Sequence, residues 1–105
     1  MQRWLKKVIS VLSDPHYMNT TSSYVDNFFG RVNSCCALGE LYLQAGGDPM
    51  NSHSRYIHEI LQTVYKVPAK IEDDVFAYIN IKNVGGASKQ RIATLLKRKF
   101  SRGKK

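Results

Sequence analysis

Residues 33–47, NSCCALGELYLQAGG, decide how this chain is read. The spacing predicts a helix that Asn33 or Ser34 caps and that Gly46 and Gly47 end, because glycine takes the left-handed cap conformation without strain. At 100° per residue Cys35 falls among Leu38, Gly39, Tyr42 and Leu43 on a broad apolar arc, and Cys36 falls at its edge beside Glu40. A thiol in the first turn of a helix feels the positive end of the dipole, which favours a nucleophile. Glu40 opposes this at Cys36, and an apolar setting opposes it at Cys35, since both favour the protonated thiol. The smallness of Cys35, Cys36, Ala37 and Gly39 has a plainer use: it lets this helix approach its neighbours closely as the centre of a core. Packing is therefore the preferred reading, with no catalytic residue assigned. A cysteine-dependent enzyme centred on Cys36 is the minority alternative.

Such an enzyme needs a base, and the spacing of His16, His53 and His58 singles out none of them. His53 and His58 are five residues apart, on different faces of a helix, whereas zinc ligands on one helix sit three or four apart. Vicinal cysteines are a poor ligand pair, and the chain holds no CxxC. Neither a metal site nor a cofactor is expected. Adjacent cysteines do not form an ordinary disulfide within one chain, which fits a reducing cytoplasm.

Outward from this segment the apolar period is mostly helical. RWLKKVISVL places Trp4, Leu5, Val8, Ile9 and Leu12 on one face, and HSRYIHEILQTVYK does the same with Tyr56, Ile57, Ile60, Leu61 and Val64. Between them DPHYMNTTSS is turn chemistry, and Thr21 or Ser22 caps a short helix through SYVDNFF that stops at Gly30. Pro68 suits the start of KIEDDVFAYI, which aligns Ile71, Val75, Tyr78 and Ile79, although the β-branched INI that follows also suits a strand. After the loop NVGGAS, Ser88 caps a last helix with Ile92, Leu95, Leu96 and Phe100 as its stripe and Lys99 falling back towards it. The expected fold is all-α: a single-domain bundle of five to six short helices over residues 1–100, with residues 101–105 as a basic flexible tail. A chain of 105 residues buries roughly 60–70% of its unfolded surface, so it needs neither disulfide nor metal to fold.

The run GRVNSCCALGELYLQAGG, residues 30–47, resembles the signature of a loose family of small uncharacterised phage and bacterial proteins. In these a CALGAL-like or CCLGVL-like stretch follows an N-terminal helix. Cys36 matches the cysteine of CALG. The family's second half carries an Asn-Asp pair, a glycine-containing loop and an Ile-Ala-x-Leu-like helix; here NVGGAS precedes RIATLL, Asn83 matches the Asn, and Val84 stands where the Asp is expected. The resemblance implies no activity. It implies a phage or mobile-element setting, and hence a host-takeover or anti-defence accessory in a bacterial host cytoplasm.

Charge supplies the functional expectation. Residues 1–82 hold eight basic and eight acidic side chains, so the whole net charge of +8 comes from SKQRIATLLKRKFSRGKK. Its basic residues are Lys89, Arg91, Lys97, Arg98, Lys99, Arg102, Lys104 and Lys105, with no acid among them. Unopposed Lys and Arg on a neutral body form the footprint expected for phosphate contact, where counterion release drives sequence-independent binding. The expected partner-binding residues are Lys89, Arg91, Lys97, Arg98, Arg102, Lys104 and Lys105. The first expected partner is nucleic acid or a nucleoprotein, acted on stoichiometrically, and the second is an acidic host protein surface. No stretch approaches the ~20 apolar residues of a membrane span, and no membrane partner is expected.

Overall fold

Four helices follow the apolar periods. In the computed structural model, which describes residues 1–101, α1 spans Arg3–Ser13 and buries Trp4, Leu5, Val8 and Leu12 while Arg3, Lys6, Lys7 and Ser10 stay outside. α2 is Ala37–Gln44 and α3 is Ser54–Thr63, which buries Ile57 and Leu61. α4 runs unbroken over Ala69–Val84 behind Pro68, so INI is helical. α5 is Lys89–Ser101, with Ile92, Ala93 and Leu96 buried. α5 continues through Lys99. Of the tail, Ser101 closes α5, and Arg102, Lys104 and Lys105 lie outside the described residues.

The all-α expectation is corrected between residues 18 and 35, where a small mixed sheet stands. β1 (Met18–Asn19) lies parallel to β3 (Arg31–Cys35), and β2 (Val25–Phe28) lies antiparallel to β3, in the order β1-β3-β2. SYVDNFF is therefore a strand rather than a helix. Gly30 is not a helix stop: Phe28 pairs with Arg31, and the two residues between them, Phe29 and Gly30, have φ of 52° and 83°. Positive φ at both central positions is the type I′ geometry whose twist matches that of hairpin strands. Asn27 holds the turn, its Oδ1 accepting from Gly30 N at 3.2 Å and its Nδ2 donating to the Pro49 carbonyl at 3.1 Å. Asn33 and Ser34, expected to cap a helix, belong to β3. The cap of α2 is Cys36, whose Sγ accepts from Gly39 N at 3.4 Å.

α2 is the hub. Every residue from Ala37 to Tyr42 is buried, and the helix packs against α1, α3, α4 and β3. Gly39 explains the closeness: a Cβ there would stand 1.9 Å from the Tyr24 carbonyl oxygen and 3.0 Å from Cys35 Cβ. Tyr65 ties the next layer down, its hydroxyl donating to the Leu41 carbonyl at 2.7 Å. α1 and α5 form the most extensive helix pair, with the Trp4 and Phe100 rings edge to face at 5.9 Å. The first turn of α1 thus meets the last turns of α5 at one end of the molecule.

Candidate functional site

α5 carries two opposite faces, and Lys89 is on the buried one. It sits three, four and seven residues before Ile92, Ala93 and Leu96, on the stripe that packs inward, and is only 2% exposed. Its ammonium donates to Glu40 Oε1 at 2.7 Å, to the carbonyls of Tyr17 at 2.9 Å and Met18 at 3.4 Å, and to Cys35 Sγ at 3.3 Å. Lys89 is therefore removed from the set of surface contacts. It is the anchor that fastens the start of α5 to the sheet and to α2.

Glu40 completes this buried cluster. Its Oε2 accepts from His16 N at 2.8 Å and Gln44 Nε2 at 2.6 Å. Burial pushes its pKa up, but the donors Gln44, Lys89 and His16 N–H outweigh that and hold the carboxyl below its ordinary value. The cluster is missed in a charge count because both partners look like ordinary surface residues. The available signal is positional: Glu40 lies in a helix otherwise small or apolar from residue 37 to 43, and Lys89 lies in phase with an apolar stripe.

The opposite face of α5 is exposed and cationic. Gln90, Arg91, Thr94, Lys97 and Arg98 all face out. Lys99 is exposed too, its ammonium 5.4 Å from the Tyr78 ring centroid and 5.7 Å from that of Phe100. The Trp4–Phe100 contact brings Arg3 and Lys6, both exposed on the first turns of α1, to the same end as Lys97, Arg98 and Lys99. Lys7 turns away, donating to the Val64 carbonyl at 3.1 Å. No salt bridge engages Arg91, Lys97 or Arg98 among the described residues. Arg91, Lys97 and Arg98 thus stand as separate point charges on this face, and Lys99 borders a cavity lined also by Tyr78, Phe100 and Asp74.

The thiols are arranged for packing. Cys35 is fully buried, and burial pushes its pKa up to about 12, against the pull of Lys89 and with the help of Glu40. It is Cys35, not Cys36, that meets the carboxylate, its Sγ donating to Glu40 Oε1 at 3.5 Å. Burial also raises Cys36, although the Gly39 and Leu38 amides oppose it. Among the described residues no histidine side chain hydrogen-bonds either sulfur. His58 instead pairs with Glu72 at 2.7 Å and stacks on Phe76 at 3.8 Å. One ligand atom each from His58, Glu72 and Asp73 lies within 4.8 Å of the others. Glu72 already accepts from Gln62 and pairs with His58, an internal satisfaction that joins α3 to α4.

Beside Cys36 a cleft of about 390 Å³ opens between residues 21–25, the first turn of α2 and the end of α4. No described helix is long and apolar enough to cross a membrane. Compared with known protein families, with curated proteins and with solved structures, the chain matches none.

Proposed function

We propose that this chain binds the phosphate backbone of nucleic acid, bare or within a nucleoprotein, through the exposed face of α5 and the adjoining end of α1. The observation that carries the reading is the sign of the charge. Every charged side chain on the outer face of α5 among the described residues is cationic, and Arg3 and Lys6 adjoin its far end. Lys and Arg spaced along a helix release condensed counterions when they meet phosphates, which gives affinity without sequence readout. The neighbouring rings, Phe100 and Tyr78, pack edge to face on each other and Phe100 packs on Trp4, an arrangement that favours backbone contact over base stacking. Arg91, Lys97 and Arg98 are the contacts proposed within the described chain, with Arg102, Lys104 and Lys105 following in sequence. The resemblance of residues 30–47 to small phage and bacterial proteins supports a host-takeover or anti-defence setting, in which the protein acts stoichiometrically and no residue serves as a catalyst.

The test is fluorescence anisotropy with labelled duplex and single-stranded oligonucleotides over a range of salt. Arg91→Glu/Arg98→Glu is expected to weaken binding and to flatten the dependence of log affinity on log salt by about 0.7–0.9 per lost phosphate contact. Removing residues 102–105 is expected to flatten it further while leaving the helical signal intact. Arg55→Glu, on α3, is expected to change neither. Absence of binding at low salt, or an unchanged slope in the double variant, overturns the reading and leaves an acidic protein surface as the partner that such a helix fits.

A further inference from the structure

The cleft beside Cys36 is built differently from the surface of α5. Its frame is fixed by bonds that converge on one buried amide. Asn83 is 2% exposed; its Oδ1 accepts from Ala37 N at 3.0 Å and its Nδ2 donates to the Thr20 carbonyl at 3.0 Å. Cys36 N donates to the Tyr24 carbonyl, also at 3.0 Å. These bonds lock the end of α4, the start of α2 and residues 20–24 to one another, so the cavity between them is preformed.

Its lining mixes polar and apolar groups and is uncharged. Thr21, Ser22, Ser23 and Ser52 supply hydroxyls, Asn80 supplies a half-buried amide, and Val25 and Val84 supply apolar wall. No Asp, Glu, Lys, Arg or His lines it among the described residues. With no counter-charge in its wall, the site offers nothing that would hold an ion against water and suits an uncharged ligand. Hydroxyls and amides donate and accept equally, and a cavity of this volume lies within the roughly 300–1,000 Å³ range of small-molecule sites. The Asn80 side chain makes no hydrogen bond within the described residues. A free amide presents a donor and an acceptor side by side, the pairing complementary to the edge of a nucleobase.

We propose that this cleft binds an uncharged nucleobase or nucleoside, with the Asn80 amide hydrogen-bonding the base edge, the hydroxyls of residues 21–23 and Ser52 surrounding it, and Val84 covering one face. A site without charge does not share the electrostatics of α5, and the two operate independently.

Amide chemical-shift titration of the full chain with adenosine, cytidine, guanosine and uridine, each at millimolar concentration, tests this. Perturbations are expected at residues 21–25, 36, 52 and 80–84 for at least one nucleoside. Asn80→Ala is expected to weaken that ligand about tenfold, the loss of one paired base-edge contact. If the alanine variant loses its dispersed spectrum, Asn80→Asp, which keeps the volume and exchanges the amide donor for a charge, provides the same comparison. Arg91→Glu/Arg98→Glu is expected to bind the nucleoside unchanged; since nucleosides carry no phosphate, this separates the result from the polyanion reading. Absence of shifts with all four nucleosides, unchanged affinity in the Asn80 variants, or equal shifts from methyl glucoside overturns the proposal.

Discussion

Replacing Lys89 by methionine keeps most of the side chain's length and deletes its charge. The Glu40 carboxylate would then keep Gln44 Nε2 and His16 N but lose the 2.7 Å ammonium contact, in a side chain with no exposure to solvent. The carbonyls of Tyr17 and Met18 would lose a donor as well. Removing one partner of a buried pair costs about 3–5 kcal/mol, because the other charge is left without its counterpart. Two donors remain on the carboxylate, which places the expected loss near the lower end, about 3 kcal/mol. At roughly 4–8 °C per kcal/mol for a domain of about this size, the midpoint should fall by about 12–24 °C. A thermal melt followed by far-ultraviolet circular dichroism measures the midpoint, and urea unfolding measures the free energy. Glu40→Met with Lys89→Met in one chain removes both charges, and stability is expected to recover most of the loss, a coupling on the order of 2–3 kcal/mol. A single variant within about 1 kcal/mol of the parent, or a double variant as poor as the sum of the singles, would refute a desolvated pair.

Glu40 also sets an acid limb. Its carboxyl is held below the ordinary 4.5 in the folded chain, so its contribution is present above that value and disappears as pH falls through the depressed folded value. Glu40→Gln should therefore unfold with a shallower acid dependence, measured as midpoint against pH. Gly39→Ala should fail to fold or lose well over 3 kcal/mol, since the added Cβ meets backbone at 1.9 Å and cannot be relieved by a rotamer change; a stable alanine variant by thermal denaturation would show that α2 is not close-packed. Asn83→Ala orphans the buried Ala37 amide, about 1–3 kcal/mol, and leaves the half-buried Thr20 carbonyl to water, read by the same melt. Neither thiol should react with iodoacetamide near neutral pH until the chain is unfolded, and rapid native labelling of Cys36 would revive a nucleophilic role.

The helices that were legible are those whose apolar residues recur at 3.6, namely α1, α3, α4 and α5. α2 was legible as a helix but not in its bounds, because Asn33 and Ser34 look like caps and a cysteine sulfur performs the capping. The hairpin was misread for a local reason. Its turn places Phe29, rather than asparagine or aspartate, at the first positive-φ position, so the usual type I′ signal is missing and Gly30 looks like a helix stop. The alternation of Val25 and Asp26, and of Val32 and Asn33, spans too few residues to outweigh that. The packing role expected for the cysteines agrees with their burial. In the basic segment, the exposure of Arg91, Lys97 and Arg98 could be read from their phase away from Ile92 and Leu96. The internal role of Lys89 depends on Glu40, 49 residues away, and no local pattern announces a pairing at that separation.

Because α1 packs chiefly on α5, α1 is synthesised well before the helix that covers it. Until residues near 100 emerge, Trp4, Leu5 and Val8 lack their main partner, and the Glu40 carboxylate waits for an ammonium 49 positions downstream. Closure of so long a loop comes late, so the docking of α1 on α5 should be among the last steps of folding. A nascent chain halted before α5 would present an unpaired carboxylate and an open apolar groove, features that quality-control proteases and chaperones recognise.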